Sequence, residues 1–166
     1  MKIFVMGMPA SGKSYWGKQW AKELKLDFID LDEKIESTLG KSIPEIFSTS
    51  GESFFRETES QVLSELMLLD HFVLSCGGGT PCFGDNLKKM NECGVTVFLN
   101  VGLDNLMQNL EKNNQSRPLI DGYTSNELTV KLSQILQERL PFYKQSKITL
   151  SETELNPNAL NDLVRL

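Results

Sequence analysis

The sequence predicts an α/β fold, a parallel sheet covered on both faces by helices. Three observations carry that expectation. Short apolar runs alternate with segments of helical spacing along all 166 residues. Val95–Val101 is rich in β-branched and apolar residues, as a strand buried on both faces requires. The octapeptide Gly7-Met8-Pro9-Ala10-Ser11-Gly12-Lys13-Ser14 has the form G-x-x-x-x-G-K-[ST] and lies between an apolar run and a helical one. That is the strand–loop–helix setting in which such a loop cradles phosphates.

The elements follow in order. Ile3–Met6 is the first strand, a better reading of Ile3–Met8 than a secretory leader. Ser14–Lys25 has helical spacing with Trp16, Trp20 and Leu24 on one face, where the tryptophans serve the core. Asp27–Asp30 is a short second strand, and Glu33–Leu39 begins another helix. Ile43–Phe47 follows a turn, and Phe54–Leu69 is a long helix expected to turn Val62, Leu63, Leu66 and Leu69 inward. His71–Ser75 is a strand that runs into three glycines, and His71 has no catalytic part. Asn86–Cys93 is a helix closed by Gly94. After Val95–Val101 comes a helix at Leu103–Leu110. The polar stretch Lys112–Ser125, with few core residues, reads as a surface loop or lid. Glu127–Arg139 is helical and Pro141 is expected to stop it. Lys147–Leu150 is the last strand and Asn158–Leu166 a terminal helix.

Composition narrows the function classes. A net charge of −5 argues against non-specific nucleic-acid binding, which needs a basic face. The apolar runs are far shorter than a membrane span. Cys76, Cys82 and Cys93 are an odd set without zinc-type spacing, which suits reduced thiols in a cytoplasm. Cys82, beside the glycines, is the candidate for an exposed, reactive thiol.

In open parallel sheets, ligands sit at the carboxyl ends of the strands. Three chemical motifs fall there. In the first, backbone N–H groups of Ala10–Gly12 and their neighbours surround phosphate oxygens, Lys13 reaches the β- and γ-phosphates, and Ser14 can ligate Mg²⁺. The second, Asp30-Leu31-Asp32, offers one carboxylate for the waters of Mg²⁺ and another for an acceptor hydroxyl. Its plainer reading is a pair of surface acids, with Asp32 capping the next helix. The third, Gly77-Gly78-Gly79, allows close backbone approach to a ligand, or is simply a tight turn into Thr80-Pro81. Arg56 follows two phenylalanines and has Glu59 one helical turn on, an arrangement suited to carboxylate recognition or to an ordinary salt bridge. Arg117 in the polar loop is readable as a lid arginine that closes onto ATP or as a solvated charge, and Arg139 before Leu140-Pro141 as reaching an acid substrate or complementing the helix dipole.

Taken together the pieces resemble the shikimate kinase family. They are the octapeptide at 7–14, Asp30-x-Asp32, Ser42-Ile43-x-x-Ile46-Phe47, Gly51-Glu52-x-x-Phe55-Arg56-x-x-Glu59, Gly77–Gly79, Arg117-Pro118-Leu119 and Arg139-x-Pro141-x-Tyr143, in family order. The resemblance implies one kinase domain over 1–166 with a three-layer α/β/α fold and a five-stranded parallel sheet. It also implies a helical substrate-binding region near 31–60 and a mobile lid near 111–124. The implied reaction moves the γ-phosphoryl of ATP to the 3-hydroxyl of shikimate, with Mg²⁺, in a cytoplasmic monomer.

The implied roles are residue by residue. Pro9, Ala10, Ser11, Gly12, Lys13, Ser14 and Tyr15 hold ATP. Ser14 and Asp30 serve the metal. Asp32 binds the acceptor hydroxyl and is the base. Arg56 and Arg139 clamp the carboxylate, with Glu59 orienting Arg56. Gly77, Gly78, Gly79, Phe47 and Phe55 line the acid. Arg117 enters from the lid, and Asn156 flanks the base of ATP. Tyr15 and Ala10 depart from the family's usual small Thr and Gly. Asn109-Leu110-Glu111 lacks the arginine that many members place against adenine. A sugar-acid kinase shares the phosphate loop, and a regulatory protein that only binds nucleotide is the alternative from another class. The Gly77–Gly79 triplet with two arginines favours the acid shikimate, and the presence of Lys13, Asp32 and Arg117 favours catalysis.

Overall fold

A computed structural model describes residues 1–112, 122 and 124–162. Five parallel strands form one sheet: β1 (Lys2–Gly7), β2 (Asp27–Asp30), β3 (Phe72–Ser75), β4 (Val95–Asn100) and β5 (Ile148–Ser151). The order across it is β2-β3-β1-β4-β5, with Ile3 beside Val73 and Val95 at its centre. Strand alternation divides the core. Ile3 and Val5 face one layer, where α1 (Lys13–Leu24), α5 (Leu103–Lys112) and α6 (Ser125–Tyr143) bury Trp20, Leu106 and Leu132. Phe4 and Met6 face the other, where α2 (Leu31–Leu39), α3 (Ile43–Leu66) and α4 (Asn86–Cys93) bury Ile35, Leu63 and Met90. A strand apolar on both faces needs both layers, which is why β1 and β4 carry no polar alternation. None of the described helices is long and apolar enough to cross a membrane.

Four expectations are corrected. Phe54–Leu69 does not stand alone: α3 begins at Ile43, and its two parts meet at Gly51 (φ 83°, ψ 170°), a left-handed kink that favours glycine. The same helix ends at Leu66, so Leu69 is exposed and not part of the core. Pro141 lies inside α6, two residues before its end. So near a terminus its missing N–H forfeits a single helical bond, and Lys144 N–H still closes the turn on Leu140 O. Residues 158–162 form turns and no helix. Asn158 N–H bonds the Asn156 side chain and Asn161 Nδ2 bonds Asn158 Oδ1, so the asparagines hold a turn in competition with helical backbone pairing.

Candidate active site

All the strands point their carboxyl ends at one cleft of about 1100 Å³. Its walls contain Pro9–Ser14 and Tyr15 from the phosphate loop, Asp30 and Asp32 from the end of β2, and Phe47, Phe55, Arg56 and Glu59 from α3. Gly77–Gly79 after β3 and Arg139 from α6 complete it. Arg117 lies outside the described residues.

The loop between β1 and α1 turns on left-handed backbone at Ala10 (φ 63°) and Gly12 (φ 88°). Lys13 Nζ donates to Met8 O at 2.8 Å, which folds its side chain across the loop. Ser14 Oγ donates to Asp30 Oδ2 at 2.6 Å and shares a 3.1 Å hydrogen bond with Ser75 Oγ.

The two aspartates divide their work. Asp30, not Asp32, caps α2: its Oδ1 accepts from the N–H groups of Asp32 (3.0 Å) and Glu33 (3.4 Å). Asp32 is thereby left to face the cleft. Burial, then repulsion from Asp30 and Glu59, raises its pKa from 3.8 to about 6, against the pull of Lys13 and Arg56. A carboxyl poised there is ionised at neutral pH and remains a competent proton acceptor.

The end of the cleft around Arg56 and Arg139 is assembled from separate segments. Glu59 is fully buried and holds Arg56 Nη1 on Oε2 at 2.7 Å, while its Oε1 accepts from Thr80 Oγ1 at 2.6 Å. Arg56 also meets Glu52 at 3.7 Å and lies over the Phe55 ring. The glycines are needed because these side chains lie against them. A Cβ on Gly79 would overlap the Arg56 guanidinium. One on Gly78 would stand 2.7 Å from Arg139 Nη1, and one on Gly77 2.8 Å from Glu59 Oε1. Tyr143 OH donates to Gly78 O at 2.7 Å and keeps the triplet against α6. Phe47 packs on Phe55 with ring centroids 4.8 Å apart, closing one wall.

Beyond β4 and β5, Glu152 accepts from Gly102 N–H and from Asn105 Nδ2 (2.5 Å), and Leu155 completes the wall. Asn156 stands beside this wall and outside the cleft lining. Its side chain bonds Glu154 O and Asn158 N–H, and its carbonyl accepts from Trp20 Nε1. Tyr15 lies open on the rim, edge-on to Trp16. Cys82 is half-buried, and burial pushes its thiol up to about 11, so it is no activated nucleophile despite the nearby arginines. Sequence reasoning missed Thr80, Asn105 and Glu152. Nothing local to those residues marks them, because each acts through a partner from another element.

The family model described as shikimate kinase matches residues 9–165. The chain belongs to the shikimate kinase family. A shikimate kinase of Bacteroides thetaiotaomicron is 41% identical over 155 residues, covering 93% of this chain and 89% of that one. One from Clostridium botulinum is 37% identical over 152 residues, 91% of this chain and 87% of that one. Among solved structures, a shikimate kinase from Bacteroides thetaiotaomicron superposes with a TM-score of 0.94 at 38% identity, over 100% of this chain and 99% of that one. The Acinetobacter baumannii shikimate kinase, in complex with shikimate, has a TM-score of 0.83 at 32% identity, over 99% of this chain and 88% of that one. A gluconokinase from Sinorhizobium meliloti, at 19% identity and a TM-score of 0.58 over 99% and 91%, shares the fold. The five-stranded parallel sheet with helices on both sides is thus the shikimate kinase architecture, as the sequence leads one to expect.

Proposed function

We propose that this member of the shikimate kinase family transfers the γ-phosphoryl of ATP to the 3-hydroxyl of shikimate, in the pathway to aromatic amino acids. The observation that carries the reading is the meeting, in one cleft, of a phosphate loop, a carboxyl poised near neutrality and two arginines seated on consecutive glycines. Arg56 and Arg139 offer planar, charged donors to a carboxylate, and Glu59 holds the first of them in place. Asp32 is assigned the acceptor hydroxyl: it orients that oxygen and takes its proton as the phosphoryl moves. The loop amides of Ala10–Tyr15 and the Lys13 side chain are assigned the phosphates, where charge neutralisation and positioning supply most of the rate. Arg117 is assigned to the transferring group.

Ser14 and Asp30 bring hard oxygen donors within 2.6 Å of one another beside the loop, the donor type Mg²⁺ takes. When bound with the nucleotide, the ion neutralises phosphate charge. The reading extends to a monomer in the cytoplasm.

The deciding experiment is ADP release from MgATP with shikimate, with gluconate, and with no acceptor. Shikimate-dependent release is expected. Release with gluconate alone transfers the assignment to a sugar-acid kinase, and silence in a folded sample that binds ATP leaves a nucleotide-binding regulator.

A further inference from the structure

The phosphate loop contains a backbone feature that its own sequence does not favour. Ala10 holds a left-handed conformation (φ 63°), in which its Cβ crowds the backbone, and it does so while buried. Such residues persist where surrounding contacts over-determine them. The contact here comes from 99 residues away: Asn109 Nδ2, on α5, donates to Ala10 O at 2.9 Å. In a trans peptide the carbonyl and the following N–H point in opposite directions. Fixing Ala10 O on Asn109 therefore fixes the Ser11 N–H, which turns back to Met8 O at 3.2 Å, the oxygen that also receives Lys13 Nζ. Helix α5 is a firm strut for this purpose. Leu106 is fully buried, and Glu152 ties the helix start through Gly102 N–H and Asn105.

We propose that Asn109 is a positioning residue for nucleotide binding: it holds Ala10 in the left-handed conformation and so keeps the phosphate loop, with Ser11 and Lys13, in its receptive shape. It works through Ala10, so its importance depends on residue 10 being anything but glycine. Glycine enters that conformation freely and needs no such hold. The proposal rests on the phosphate-binding reading of the loop and not on the identity of the acceptor.

The test is a double-mutant cycle read by calorimetric titration of MgADP and by steady-state kinetics. Asn109→Ala is expected to weaken MgADP binding and raise KM for ATP about tenfold (a factor of ten is about 1.4 kcal/mol). KM for shikimate and kcat should stay within about twofold. In an Ala10→Gly background the same Asn109 substitution should cost less than about twofold. Two results overturn the proposal. One is an Asn109→Ala protein, folded by circular dichroism, with unchanged MgADP affinity. The other is a loss of equal size in both backgrounds, which would mean that Asn109 acts on the nucleotide directly. If the unsubstituted protein binds MgADP but phosphorylates no shikimate, the acceptor assignment fails while the cycle still reads the loop.

Discussion

The two ends of the cleft are built in opposite ways. The end proposed for phosphate is one uninterrupted stretch, 7–14, which offers backbone amides and two adjacent side chains. The end proposed for the acid gathers Arg56 from α3, three glycines after β3 and Arg139 from α6, and is held by Glu59, Thr80 and Tyr143. A contiguous site takes most of its geometry from local turns, and here one distant bond, from Asn109 to Ala10, supplements them. An assembled one depends on packing, because each arginine is located by the glycine it lies against and the acid or hydroxyl behind it.

That contrast is broken most severely where the two ends meet. Asp32→Asn is expected to lower kcat about a thousandfold, within the range for loss of a general base, while calorimetry finds MgADP affinity nearly unchanged. Survival of activity within a few-fold would remove Asp32 from that role. The same substitution should act on stability in the opposite sense. The folded-state pKa of Asp32, about 6, lies above its ordinary 3.8. The carboxyl therefore adds stability that is whole below pH 3.8 and lost as the pH rises through about 6. Removing the charge should raise stability at neutral pH by up to about 3 kcal/mol, measured as urea midpoints of both proteins at pH 5 and pH 8, with the gap larger at the higher pH.

Next in size is the acid clamp. Arg139→Ala should raise KM for shikimate by about ten- to a hundredfold, the worth of a charged hydrogen bond, and leave KM for ATP within about twofold. An equal rise for both substrates would mean that the ends are not separable. Gly79→Ala sharpens the point without deleting a charge. Its Cβ would displace the Arg56 guanidinium, so KM for shikimate should rise about tenfold, near the low end of that range. The smallest effect is the acid limb of kcat/KM. It should fall with unit slope as pH drops through about 6, where Asp32 takes up its proton, and a limb near pH 4 instead would assign it to an ordinary carboxyl.

The phosphate-loop motif and the order of strands and helices were legible in the sequence, and family resemblance singled out Arg56 and Arg139, which line the same cleft. The partition of Asp30 and Asp32 was less so. Both stand at the end of β2, and only the start of α2 decides that Asp30 Oδ1 is spent on the cap and Asp32 is not. The readings of Leu69, Pro141 and the 158–162 segment failed for a common reason. Helical periodicity and breaker residues describe what a segment favours, while its end is fixed by which carbonyls and side chains stand nearby. Cys82 illustrates the same gap: proximity to glycines suggested exposure, and packing raised its thiol instead.

By itself the sequence determined what depends on neighbours in the chain: strand and helix periodicity, and the eight-residue motif between the first strand and the first helix. Tertiary structure alone decided what depends on distance between elements. It set the burial that lifts Asp32 and the fit of Arg56 and Arg139 onto Gly79 and Gly78. It also set the bond from Asn109 to Ala10. Electrostatics and steric contact act through space at a few ångströms, and residues 10 and 109 come that close only after the sheet has closed its layers.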